Sequence, residues 1–288
     1  MNCLHPAMPT NTNIQTLRAS TLETLSIIKD LPTLPERFMR IQQVLDDPDS
    51  TIADLIKVIE TDQATATTIL KIANSSYYNP LGHQVSSLAF AISRLGRKET
   101  ADIALSMSLF YGFAMPASFA VIQKFWSHAF ATGQLARYLA QMSPHQNFDH
   151  DVIFTAGLLQ DIGRVVIGMR IDIAYFESEL GQNTGQTLLD QEIITYGVTH
   201  EEVGEITLKL WGLPDAIVSV AANHHQPKDS NKNAMLCHIA DEIAHLHFND
   251  CTTIEQVQMK MQDPEFMQMI DEVYLNIPPE AESSIITD

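Results

Sequence analysis

The sequence predicts an all-α protein, a compact multi-helix bundle with an N-terminal helical subdomain. Two observations carry that prediction. Apolar residues recur at i, i+3, i+4 and i+7 along most of the chain, and no run shows the strict alternation of a half-buried strand. The breaks between these runs are short and rich in Pro, Gly, Asn and Asp, which suits helices packed directly on one another.

The first helices are expected over 14–29 and 35–45. The next has the clearest start. Thr51 and Asp54 have the shape of a capping box, with Asp in place of the usual Glu or Gln, and Ile52, Leu55, Ile56 and Ile59 then share one face. Asp62 is placed to cap a helix over 63–73, which Asn74, Ser75 and Ser76 end, because short polar side chains satisfy loose backbone groups. Helices over 87–95 and 98–112 follow. Met115-Pro116 is the best internal boundary, since every His-rich element lies beyond it. There the periodicity predicts helices near 117–142, 149–168, 170–180, 186–196, 200–211, 214–224, 232–248 and 264–274. The resulting division is a tail and leading helix (1–30), an N-terminal helical half (31–115), a second helical half (116–250), and C-terminal helices with a tail (251–288). Trp126 and Trp211 read as core anchors, and Tyr77 and Tyr78 as an aromatic pair that either packs on its own domain, the commoner case, or offers a surface to a partner.

Apolar residues make up 45% of the 288, enough for a sizeable core. Lys and Arg number 17 against 35 Asp and Glu, a formal charge of −18, which opposes broad nucleic-acid binding because that affinity comes from phosphate neutralisation. A small local basic patch, for example Arg94, Arg97 and Lys98, stays open, but three charges near a helix junction read first as solvated. Cys3, Cys237 and Cys251 are odd in number and widely spaced, which suits a reducing, cytoplasmic setting. No uninterrupted apolar run approaches the roughly 20 residues of a membrane span, and the N-terminus does not read as a signal peptide.

His128, Asp161, His200, His224, His225 and Asp241 stand out as polar residues on predicted helices with apolar faces. Imidazole nitrogens and carboxylate oxygens suit Zn, Mn or Fe, and helices packed side by side can bring distant positions together. Any one of the six alone would pass for an ordinary core or cap residue. His224 and His225, as neighbours on a helix, cannot share a face, so at most one is expected to point into a common site. Gln160 precedes Asp161 and offers only a neutral carbonyl oxygen, a poor substitute for an imidazole toward such metals.

The order His128, Gln160-Asp161, His200, His224-His225, Asp241 resembles the metal-ligand order of the HD phosphohydrolase superfamily, with Gln160 where the doublet has His. The N-terminal half sharpens the likeness. Leu31-Pro32-Thr33-Leu34-Pro35, Ile59-Glu60-Thr61-Asp62-Gln63, Leu70 to Tyr78 and Ala91-Ile92-Ser93-Arg94-Leu95-Gly96 resemble the opening of the HDOD domain, the HD-related output domain. Trp126-Ser127-His128, Ala156 to Gly163 and His200 to Gly204 extend the resemblance over about residues 31–245. It implies an HD-like helical bundle and a bacterial output module without the full catalytic set, working through a signalling partner in two-component or cyclic-dinucleotide pathways. It also implies a vestigial or weak site at His128, Asp161, His200, His224, His225 and Asp241, with no cofactor or a residual divalent Mn, Fe or Zn. The alternative is a metal-dependent phosphohydrolase with a degenerate site, acting on a nucleotide or cyclic dinucleotide. A nucleotide sensor in the old cleft is a third reading. Gln160 points away from catalysis without deciding whether the chain is an enzyme. Arg164, just after the doublet, reads as a structural ion-pair partner. The length leaves no room for an attached receiver, GGDEF or EAL domain, so the expectation is a stand-alone output unit or one that receives its signal from a separate protein.

Overall fold

The computed structural model describes residues 11–27, 33–143 and 147–272, and among them there is no strand. Cys3, Leu31-Pro32, Pro144 and both extreme tails lie outside the described residues. The helices are α1 (Asn11–Ile27), α2 (Glu36–Asp46), α3 (Ile52–Ile59), α4 (Gln63–Ala73), α5 (Leu88–Leu95), α6 (Arg97–Gly112), α7 (Phe119–Gln141) and α8 (His150–Leu159). They continue as α9 (Ile162–Arg170), α10 (Glu179–Gln182), α11 (Gly185–Tyr196), α12 (His200–Leu210), α13 (Asp215–Ala221), α14 (Lys232–His247), α15 (Ile254–Met261) and α16 (Pro264–Ile270). The predicted all-α class is therefore the observed one.

Several starts form as read. Thr51 and Asp54 close a reciprocal capping box on α3, and Asp62 accepts from the Ala64 amide at the start of α4. Asn74 ends α4 and also reaches Val85, donating to its carbonyl at 2.7 Å and accepting from its amide at 2.8 Å. Two members of the basic patch are engaged. Arg97 donates to Val44 O and Ser50, and Lys98 pairs with Asp151 at 2.5 Å.

Three expectations fail in informative ways. The helix expected over 149–168 is two helices, because Asp161 (φ −92°, ψ 12°) leaves the helical region between α8 and α9. In place of a helix over 170–180 there is a turn, a 3₁₀ turn at Tyr175–Glu177 and the short α10. There Arg164 donates to Gly181 O at 2.7 Å, and Phe176 packs against Gly168, so tertiary partners bend the segment. The helix expected over 214–224 stops at Ala221, and α15 forms where none was singled out, on a Thr253–Gln256 capping box.

A continuous buried cluster runs from Leu34 and Phe38 through Phe130, Phe154 and Val165 to Phe266 and Ile270. Central to it, α7 and α8 cross so closely at Gly133 and Gly157 that a Cβ on Gly157 would lie 2.9 Å from the Gly133 Cα. The stretch His150–Arg170 is long and apolar enough by composition to cross a membrane, but 89% of its most apolar window is buried inside the protein and it breaks at Gln160-Asp161. It is a pair of core helices.

Candidate metal centre

The α8–α9 break delivers a neutral amide and a carboxylate into the interior. Gln160 is 1% exposed and Asp161 7% exposed. Asp161 meets three histidines, whereas Gln160 meets Asp241, against which two further histidines lie.

Asp161 meets His200, His224 and His225, one ligand atom from each of the four lying within 4.8 Å of the others. His200 opens α12, where Thr199 and Glu202 form a capping box. His224 and His225 follow the end of α13 in a turn, so the divergence expected of helical neighbours does not apply. Both rings enter the site: the His200 Nε2 lies 3.4 Å from His224 Nε2 and 3.1 Å from His225 Nε2. Asp161 Oδ1 stands 3.4 Å from His200 Nε2 and 3.7 Å from His224 Nε2, yet it is buried without a hydrogen-bond partner.

Glu192 was not anticipated from sequence, where it is one carboxylate among many. Fully buried on α11, its Oε2 accepts from both the backbone N and the Nδ1 of His200 at 2.8 Å, while Oε1 accepts from the Tyr175 hydroxyl at 2.7 Å. With Nδ1–H spent on the carboxylate, Nε2 of His200 faces Asp161. His224 is turned the same way by its Nδ1, 3.2 Å from Ala221 O. Such outer partners commonly orient metal-ligating histidines.

The electrostatics follow from burial and proximity. Burial alone would raise the Asp161 carboxyl, but His224, Arg164 and His200 hold it well below the usual carboxylate range. Burial would lower His224, yet the Asp161 carboxylate lifts it to about 9. His225 is pushed down to about 2 by burial and by the neighbouring His224 and His200. Arg164 packs beside Asp161 at 4.0 Å, in line with the structural pairing expected of it.

The second group is His128, Asp241 and His245, again with ligand atoms within 4.8 Å. His128 Nε2 lies 2.8 Å from Asp241 Oδ1, and His245 Nε2 lies 3.6 Å from Asp241 Oδ2. Gln160 joins this group, donating from Nε2 to Asp241 Oδ1 at 2.7 Å. His245 was not anticipated either. Its signal was present, four residues after Asp241 on the same face of α14. The six positions named from sequence thus converge, but as two adjacent groups.

The Asp161 group suits a divalent transition metal. Ligand atoms arranged tetrahedrally at about 2.1 Å from such an ion are roughly 3.4 Å apart, near the four separations of 3.1 to 3.7 Å that join His200 to Asp161, His224 and His225, and Asp161 to His224. Asp161 Oδ1, flanked by the His200 and His224 imidazoles at 3.4 and 3.7 Å without a closed hydrogen bond, supplies the carboxylate donor at the same point.

A relative from Treponema pallidum (strain Nichols), an uncharacterized protein, is 26% identical over 224 residues, covering 76% of this chain but 42% of that protein's length. Among solved structures the chain is similar to an HDOD domain protein of unknown function from Geobacter sulfurreducens, with TM-score 0.62, 22% identity, and 95% and 96% of the two chains covered. It is also similar to a protein from Marinobacter aquaeolei VT8 provisionally named a signal transduction protein (TM-score 0.62, 20% identity, 99% and 66% covered). A third, from Shewanella amazonensis SB2B, is provisionally named a phosphohydrolase (TM-score 0.60, 18% identity, 89% and 88% covered). At these identities the structures establish a shared fold. The family model of the HDOD domain matches residues 31–227, more than half of the sequence, and the chain belongs to the HDOD domain family.

Proposed function

We propose that this protein is a non-catalytic signalling output module that works through contacts with a partner protein. One observation carries the reading. The amide of Gln160 donates to Asp241 Oδ1 at 2.7 Å, at the position where the HD doublet has an imidazole ligand. With its N–H turned to Asp241, Gln160 directs no lone pair at that carboxylate's cation position, and its neutral amide oxygen is a weaker ligand than the imidazole it replaces. The name of the Marinobacter aquaeolei protein supports a signalling role. The test is hydrolysis of nucleotides and cyclic dinucleotides by the full chain with Mn, Fe or Zn supplied. No turnover above the metal-only control is expected, and robust hydrolysis abolished by Asp161→Ala would overturn the proposal.

A second reading, a phosphohydrolase working from one metal, is favoured by the Asp161, His200, His224 and His225 group. A divalent ion held by these four would acidify a bound water and polarise a phosphoryl oxygen. The chain's own part would be orientation, with Glu192 holding the His200 ring and Arg164 holding Asp161 ionised. Failure of the protein to acquire Mn, Fe or Zn counts decisively against this reading.

A further inference from the structure

We propose that His245 stands in for the doublet histidine this chain lacks, so that His128, Asp241 and His245 form a second divalent-cation site beside the Asp161 group. The inference rests on reading Gln160 as the lost ligand position, and it names a cation as the input to the proposed signalling module.

Three features point the same way. His128 and His245 approach opposite oxygens of one carboxylate, at 2.8 and 3.6 Å, and their ring centroids are 4.2 Å apart. Asp241 is 2% exposed, whereas the His128 and His245 side chains are 17% and 31% exposed, so a cation can enter from solvent at the histidine side. Gln160 supplies the third feature. It is 1% exposed, and its Oε1 is buried with no hydrogen-bond partner. A buried acceptor left unpaired is costly, and turning the amide toward Asp241 would let a bound cation relieve it.

The Gln160 amide can serve two states. Without a cation its N–H holds Asp241. Turning the amide over exchanges nitrogen and oxygen, which places Oε1 against a carboxylate oxygen. Two oxygens so close repel unless one cation binds both, so the turned amide is favoured only when the site is filled. Two imidazoles, a carboxylate and an amide oxygen form a mixed donor set that favours Zn, Fe, Co or Ni over Mg or Ca. The site would join α7, α8 and α14 through one ion.

Cobalt(II) titration of the full chain tests the proposal, with stoichiometry and visible ligand-field absorption as readouts and circular dichroism reporting the fold. His245→Ala is expected to remove one Co(II) per chain or weaken it at least tenfold, the lower end of the range for disturbed metal sites. His225→Ala, which touches only the other group, is expected to leave that ion in place. His245→Gln, which keeps the volume, gives the same loss if the alanine variant unfolds. The proposal is overturned if the parent protein binds no Co(II), or if folded His245 variants bind as many ions with affinity within twofold. Hydrolysis is not read here, so failure of the functional reading leaves this result intact, and the reverse also holds.

Discussion

Replacing Gly163 by alanine is the sharpest test of how the Asp161 group is assembled. Gly163 lies two residues after Asp161, where α9 packs on the first turn of α12. A Cβ there would overlap the His200 carbonyl oxygen and lie 2.7 Å from Gly204 N, both backbone atoms that no rotamer change can move. The helices must separate until those contacts reach ordinary van der Waals distance. Overpacking of this kind costs about 1–3 kcal/mol. Even at about 2 °C per kcal/mol, near the low end for larger domains, Tm should fall by about 2–6 °C. The same displacement carries His200 away from Asp161, now 3.4 Å apart, so metal affinity should fall along with stability. Gly204 is an internal control on the facing helix. A Cβ there would meet Gly163 N at 3.5 Å and Ala221 Cβ at 3.6 Å, both ordinary contacts. Gly204→Ala should therefore be neutral or stabilising by up to about 1 kcal/mol through helix propensity. Thermal melts of the two variants and the parent, with metal titrations, make the comparison. If Gly163→Ala melts within 1 °C of the parent, or Gly204→Ala proves the worse of the two, the close packing of α9 on α12 does not position the site.

Glu192→Gln should weaken metal binding about tenfold or more, because one carboxylate oxygen serves both the N and Nδ1 of His200 and an amide cannot accept as well at both positions. An isothermal titration showing unchanged affinity would remove Glu192 from the site. The Asp161–His224 pair gives a pH window in the metal-free protein. Asp161 is depressed on folding, so its contribution is present above the unfolded carboxylate pKa and lost in acid. His224 is raised to about 9, so its contribution is complete below its unfolded value near 6.5 and lost as pH rises through about 9. Urea melts should thus show stability falling between about pH 6.5 and 9, with a shallower slope in Asp161→Asn; equal slopes would contradict the pairing. Gln160→His should raise metal affinity at least tenfold, and no change would mean that the geometry around Asp241 no longer accepts an imidazole at that position.

Much of the architecture was legible because local chemistry agrees with the fold. Thr51, Asp54 and Asp62 cap helices as their types and spacing require. The metal-group positions were legible through their order, since packed helices bring spaced polar residues together. The errors share one cause. Gln160-Asp161 and His224-His225 were read as helical, because nothing in either stretch is a strong helix breaker. Their turns are set by contacts with distant segments. Glu192 went unnoticed for the same reason, since a buried partner looks like a surface charge until its neighbours are known, whereas His245 was legible from its spacing to Asp241 on α14.

The sequence by itself determined that this chain is all-helical, that it carries a run of metal-type ligands, and that Gln160 interrupts the run. Tertiary structure alone decided how that set is divided: Asp161 with three imidazoles on one side, Gln160 and Asp241 with His128 and His245 on the other. The physical reason is range. Helix propensity and capping act over a few residues, whereas ligand grouping depends on a break between α8 and α9 and on helix crossings that join residues far apart in the chain.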